Sequence, residues 1–123
     1  MIRVAVAGAA GRMGSMVCDA VSGTDDLSLT GRADPVLDTS VSQVLGDADV
    51  LVEFTRPDTA LDNARAALGA GVHVVVGTSG FDLGGLREAA ASSSAKAFFA
   101  PNFALGAAST SAFGTARGLS SSW

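Results

Sequence analysis

Three glycines and one aspartate stand out in this chain as residues whose types and spacing could do chemistry together. Gly8, Gly11 and Gly14 recur at three-residue intervals in VAVAGAAGRMG (4–14), and Asp34 follows the last of them at the interval of about 20 residues at which such loops carry an acid. Where a strand turns into a helix, glycines let the backbone turn sharply. They also let a diphosphate approach without meeting a Cβ, and let the helix pack closely on its strand. The bound anion then meets unpaired amide N–H groups and the positive end of the helix dipole. The acid would hold the hydroxyls of an adenosine ribose. Three glycines alone are weak grounds in a chain that has 15, so the reading depends on a strand before them and a helix after.

The flanking sequence supplies both. Residues 2–7 (IRVAVA) form a continuous β-prone run, and 11–22 place Met13, Met16, Val17 and Val21 near helical spacing. Further strands are expected at 27–32, 49–54, 72–77 and 96–100. Helices are expected from Pro57 to about Ala70 and over 82–94. Thr55 offers a cap oxygen to the first of these, Asp58 suits its positive end, and Gly69 and Gly71 close it. Strand and helix alternating at this interval require parallel crossovers. The expected fold is therefore α/β, a Rossmann-like doubly wound parallel sheet in a single domain.

Composition narrows the partners. The chain has 123 residues, enough for one cored domain, and its net charge of −4 comes with basic residues scattered singly. A nucleic-acid or anionic-membrane surface is not expected from this pattern. No apolar run reaches the ~20 residues of a membrane span, and residues 1–9 lack the features of a signal peptide. The single cysteine, Cys18, reads as a small core residue, which suits a reducing cytoplasm. No metal-ligating cluster stands out. The nucleotide expected is NAD or NADP. Asp34 favours NAD(H), whereas Arg32, or Arg12 within the loop, could meet the 2′-phosphate of NADP(H); dual use is the expectation.

Later strand ends add specificity. GAAGRMG (8–14), VEFTRP (52–57), VVGTSGF (75–81) and APNFALGA (100–107), in this order, resemble the nucleotide-binding half of the 4-hydroxy-tetrahydrodipicolinate reductases, nicotinamide-dependent enzymes of bacterial lysine biosynthesis. The resemblance covers residues 1–107 and implies a dinucleotide-binding domain there. It assigns Gly8, Ala10, Gly11, Arg12, Met13 and Gly14 to the diphosphate loop and Asp34 to the ribose. Phe54 and Thr55 fall to the nicotinamide-ribose side, and Gly77, Thr78 and Ser79 to a loop contacting nicotinamide, where the family usually has threonine in place of Ser79. Ala100, Pro101, Asn102 and Phe103 fall to the segment closing over the carboxamide. Phe54, Phe81 and Phe103 have core packing as their alternative.

The departures from that family bear on activity. Its second domain carries a His-His pair and a lysine in an HHxxKxDAPSGT stretch that binds the dicarboxylate substrate and protonates the product, and nothing in residues 1–123 corresponds. The one histidine, His73, belongs to the fourth strand, and the one lysine, Lys96, starts the fifth. Residues 108–123 read as a Ser/Gly/Ala-rich tail, in which AFGTAR (112–117) faintly echoes the family's PSGTA turn. No catalytic residue is assigned. The leading expectation is an NAD(P)(H)-binding domain unable to catalyse alone. Its alternatives are a small cyclic-imine reductase with a rebuilt site and a non-enzymatic scaffold. A homodimer is expected, with Trp123 either docked on a sheet edge or loose.

Overall fold

The computed structural model describes residues 1–100. Pro101, Asn102, Phe103, the 108–123 segment, the AFGTAR stretch and Trp123 lie outside the described residues.

Five strands form one parallel sheet: β1 (Ile2–Ala7), β2 (Leu27–Ala33), β3 (Val50–Glu53), β4 (His73–Val76) and β5 (Ala97–Phe99). Their spatial order is β2-β1-β3-β4-β5, so the direction of winding reverses at β1. Helices α1 (Arg12–Ser22), α2 (Val41–Val44), α3 (Pro57–Gly69) and α4 (Leu83–Ala91) make the crossovers between successive strands.

Both faces of the sheet are covered, which is why β3 and β4 read as unbroken apolar runs rather than as alternating ones. Val4, Val6, Val50, Val52 and Val75 pack beneath Val17, Cys18 and Val21 of α1. Ala5, Ala7, Leu51, Val74 and Val76 point the other way, under Ala64, Ala67 and Leu68 of α3 and Leu86 of α4. Alternate residues of each strand thus serve different layers, as the two-residue period of a strand dictates. Burial of each valine or leucine contributes roughly 1.5–3 kcal/mol, so the two layers, and not any surface contact, hold the sheet together.

The expected strands and helices appear, with differences that have local causes. The helix expected over 82–94 ends at Ala91. There Ser93 leaves it, its hydroxyl donating to the Leu68 carbonyl (2.7 Å) while accepting from the Ala95 amide (3.0 Å). The cap of α3 is a correction. Arg56, not Thr55, is the residue flanking its first turn, because the Thr55 hydroxyl is drawn off to Glu53 (2.8 Å). Between β2 and β3 the chain also forms the short helix α2, which sequence pattern did not indicate. It docks where β2 has Gly31. A Cβ there would sit 2.6 Å from that of Val44, and a register shift against β1 lies beside it.

Candidate functional site

The carboxyl ends of β1, β2 and β3 open into a cleft of about 870 Å³. Gly8 and Gly11 lie on its floor, Asp34 on one flank, and Phe54, Thr55 and Arg56 on the other. Its location follows from topology. Where winding reverses, the two neighbouring crossovers depart to opposite faces and leave a crevice over the strand ends.

The glycines earn their positions by contact. Gly8 has φ +82°, a left-handed conformation that favours glycine, and a Cβ on it would overlap the Phe54 carbonyl oxygen. A Cβ on Gly14 would overlap the Gly8 carbonyl oxygen, so only glycine allows α1 to begin so close to the loop. Helix α1 starts after Gly11 with no side-chain cap and no acid in its first turn. Its positive end is therefore not neutralised from within. Arg12, Met13 and Gly14 form this first turn, with Arg12 and Met13 exposed and Gly14 buried.

Asp34 directly follows β2. Its Oδ2 accepts from the Ala10 amide in the glycine loop (3.1 Å) and its Oδ1 from the Val36 amide (3.0 Å). Main-chain hydrogen bonds between Asp34 and Thr39 (2.8 and 3.3 Å) close the turn behind it. Each carboxylate oxygen thus spends one acceptor site on the backbone and keeps capacity for a further donor. Arg32 does not line the cleft. It pairs with Val6, which faces α1, and its charge acts on Cys18, whose thiol is raised mainly by burial with Arg32 opposing. Among the described lining residues the cation is Arg56, which reaches Asp58 at 3.2 Å on the exposed surface.

On the opposite flank, Phe54 continues β3, its amide donating to the Ala7 carbonyl (2.9 Å). It packs on the α1 layer as well as lining the cleft, and its ring occupies the space a Cβ on Gly77 would need. Thr78 is buried and Ser79 exposed. The Ala100 amide donates to the Val76 carbonyl (2.9 Å), extending β5. Gly77, Thr78, Ser79 and Ala100 do not line the cleft itself. Phe81 meets Phe99 edge-on, with ring centroids 5.7 Å apart, within the α3 and α4 layer.

One residue went unnoticed in the sequence. Glu53, the last of β3, is 0% exposed. Its carboxyl accepts from the Thr55 amide (2.7 Å) and hydroxyl (2.8 Å), the Thr78 hydroxyl (2.9 Å) and the Asn63 side-chain amide (2.6 Å). The available signal was an acid enclosed between apolar residues in the run DVLVEF.

His73 starts β4, where its Nδ1 accepts from the Lys96 amide (3.0 Å), far from the cleft at the amino ends of the strands. Among the described residues no three His, Cys, Asp or Glu side chains gather as a metal site would require, and no helix is long and apolar enough to cross a membrane.

Comparison of the sequence with known proteins points to one family. The family model for dihydrodipicolinate reductase, N-terminus, matches residues 2–103. The 4-hydroxy-tetrahydrodipicolinate reductase of Nocardia farcinica is 41% identical over 112 residues, covering 86% of this chain and 44% of that protein. That of Thermobifida fusca is 46% identical over 111 residues, with 87% and 44% covered. The chain thus spans less than half the length of these relatives. Among solved structures, dipicolinate-bound dihydrodipicolinate reductase from Paenisporosarcina sp. TG-14 superposes with a TM-score of 0.60 at 21% identity, over 74% of this chain and 42% of that one, a likeness of fold. Cleft, glycine loop and matched sequence agree, and the chain belongs to the dihydrodipicolinate reductase family, within which it corresponds to the N-terminal domain.

Proposed function

We propose that residues 1–107 bind a nicotinamide dinucleotide, NAD(H) or NADP(H), across the cleft. The observation that carries this reading is the meeting of Asp34 with the glycine loop: the acid accepts from the Ala10 amide, beside a helix start that has no cap of its own. The residues fit the group. Gly8 and Gly14 leave space that a Cβ would fill, the first turn of α1 offers amides to the diphosphate, and Asp34 keeps acceptor capacity for ribose hydroxyls. Strand order supports a nicotinamide half at the ends of β3 and β4, on the far side of β1 from Asp34. Thr55, Gly77, Thr78, Ser79 and Ala100 belong to that flank, and Pro101, Asn102 and Phe103 follow it in sequence.

When bound, the dinucleotide supplies a hydride. The chain's own residues orient it and exclude water beneath it. Reduction of the imine-type substrate of the lysine pathway further needs a carboxylate site and a proton donor. We assign neither to residues 1–100, where His73 is committed to the Lys96 amide at the amino ends of the strands. The domain by itself therefore binds cofactor without turnover. The setting is the cytoplasm, with a second copy of the chain as the partner available to the sheet edges at β2 and β5.

Titration of the 123-residue chain with NADH and with NADPH, read by nicotinamide fluorescence, tests the reading. Saturable binding of at least one is expected, and absence of both would sink it. Steady NADPH oxidation with 4-hydroxy-tetrahydrodipicolinate would overturn the claim that this chain alone is inactive. Size-exclusion chromatography checks the homodimer.

A further inference from the structure

Glu53 is the one acidic or basic side chain that is buried among the described residues. An acid so placed is costly unless donors surround it. Here they come from three separate elements. The Thr55 amide and hydroxyl belong to the turn between β3 and α3, the Asn63 amide to the second turn of α3, and the Thr78 hydroxyl to the turn after β4. Thr59 extends the network by donating to the Thr55 hydroxyl (2.9 Å). Thr55, Thr59 and Asn63 all line the cleft, on the flank opposite Asp34.

The ends of β3 and β4 thus meet at a single carboxyl group. Four different groups point donors inward to it: the Thr55 amide and hydroxyl tie the 54–56 turn, the Thr78 hydroxyl ties the 77–79 turn and the Asn63 amide ties α3, and of these residues Thr55 and Asn63 line the cleft. The Asp34 flank does not involve Glu53: its turn is closed by main-chain bonds with Thr39 and by the Asp34 carboxylate, which accepts from the Val36 and Ala10 amides.

We infer that Glu53 is a positioning residue for the nicotinamide half of the dinucleotide site, holding the 54–56 and 77–79 turns in the spacing that this half requires. This rests on the dinucleotide reading above. It goes beyond that reading by dividing the cleft into an adenosine flank that does not depend on Glu53 and a nicotinamide flank that does. Loss of the acceptor would leave the Thr55, Thr78 and Asn63 donors without a common partner. The two turns would then separate or seek water, and the nicotinamide flank would lose its shape.

ADP and NADH separate the two flanks, because ADP carries the adenosine and diphosphate alone. In the full chain, Glu53→Ala should weaken NADH binding by about tenfold or more and leave ADP binding within about twofold of wild type, as expected when a buried, hydrogen-bonded acid is removed. NADH is read by fluorescence and ADP by calorimetry. Where Glu53→Ala does not fold, as judged by circular dichroism, Glu53→Gln takes its place. It keeps the shape but sets an amide N–H₂ group against the Asn63 amide, and a loss of about threefold or more for NADH alone is expected. An equal loss for ADP and NADH would mean general damage and would overturn the inference, as would NADH binding at wild-type strength in the variant that folds. A wild-type chain that binds neither ligand sinks the dinucleotide reading itself, before any variant is measured.

Discussion

The two ends of the sheet use polar groups in opposite ways. At the amino ends the groups answer one another. Asp49, just before β3, takes the Arg3 amide and guanidinium (2.9 Å each), and its own main chain pairs with Arg3 and His73. His73 Nδ1 in turn accepts the Lys96 amide. At the carboxyl ends of β1 and β2 the same backbone is arranged to leave groups available. The start of α1 has no cap, Gly8 and Gly14 hold space clear, and Asp34 spends only part of its acceptor capacity. The difference teaches that one sheet can be closed at one edge and receptive at the other without any change in its strands. Only the residues at the turns differ.

Substitutions can break this contrast, and the largest effect is expected at Gly14. Gly14→Val places side-chain atoms against the Gly8 backbone, which cannot move aside without unseating α1. Overpacking typically costs about 1–3 kcal/mol, and the upper end or beyond is expected because backbone is what it meets. Urea denaturation reads the loss, and dinucleotide binding should vanish with it. A wild-type midpoint would show that α1 does not dock as described.

Next comes Asp34→Ala, which removes a charged acceptor worth about 1.5–3 kcal/mol in the hydrogen bonds it makes. NADH affinity should fall by about tenfold or more on that basis, with NADPH affected less. Paired titrations of the two cofactors measure it, and an equal loss for both would remove the ribose role. At the closed edge, His73→Ala takes the acceptor from one backbone amide, for a cost of about 1 kcal/mol. It should lower the thermal midpoint while cofactor affinity stays the same, and a weakened affinity would blur the distinction between the edges.

The smallest effect is expected at Asp49. Hydrogen bonds from Arg3, first from its side chain and then from its main chain, hold the Asp49 carboxyl below the ordinary carboxylate range. A lowered folded pKa contributes stability that is present above the unfolded value and lost as pH falls through the folded one. The contribution is therefore full at neutral pH and fades below about pH 4. Asp49→Asn should make the acid limb of the stability profile slightly shallower and remove the part of its salt dependence that the Arg3 pair contributes. Both partners are largely exposed, 53% and 40% for their side chains, so the loss at neutral pH is slight. An unaltered acid limb would mean that the pair does not form in solution.

Much of this was legible in residue order. The glycine spacing, the apolar runs of β1, β3 and β4, and the acid after β2 each reflect a local demand that a short window of sequence records. Residues 35–48 were not legible, because α2 is four residues long and too short to show a period. What holds it is the missing side chain of Gly31, a partner distant in sequence. Thr55 misled for a related reason. A threonine before a proline at a helix start is a sound cap signal, but Glu53 competes for the same hydroxyl from within the core. Glu53 itself falls inside the run expected as a strand over 49–54, with nothing in its neighbours to mark it. That it collects donors from three elements is a fact of tertiary structure, which no spacing in sequence expresses.

Gly8 adopts its left-handed turn against the Phe54 carbonyl, and the Phe54 amide bonds to Ala7. The glycine loop is thus written in the first 14 residues yet completed by a strand that begins near residue 50. A nascent or partly unfolded chain therefore carries the motif without the completed loop until some 40 residues between them have closed, a closure that entropy opposes. Cofactor recognises only the closed form, so each molecule bound draws the population toward completed chains and raises their resistance to proteases.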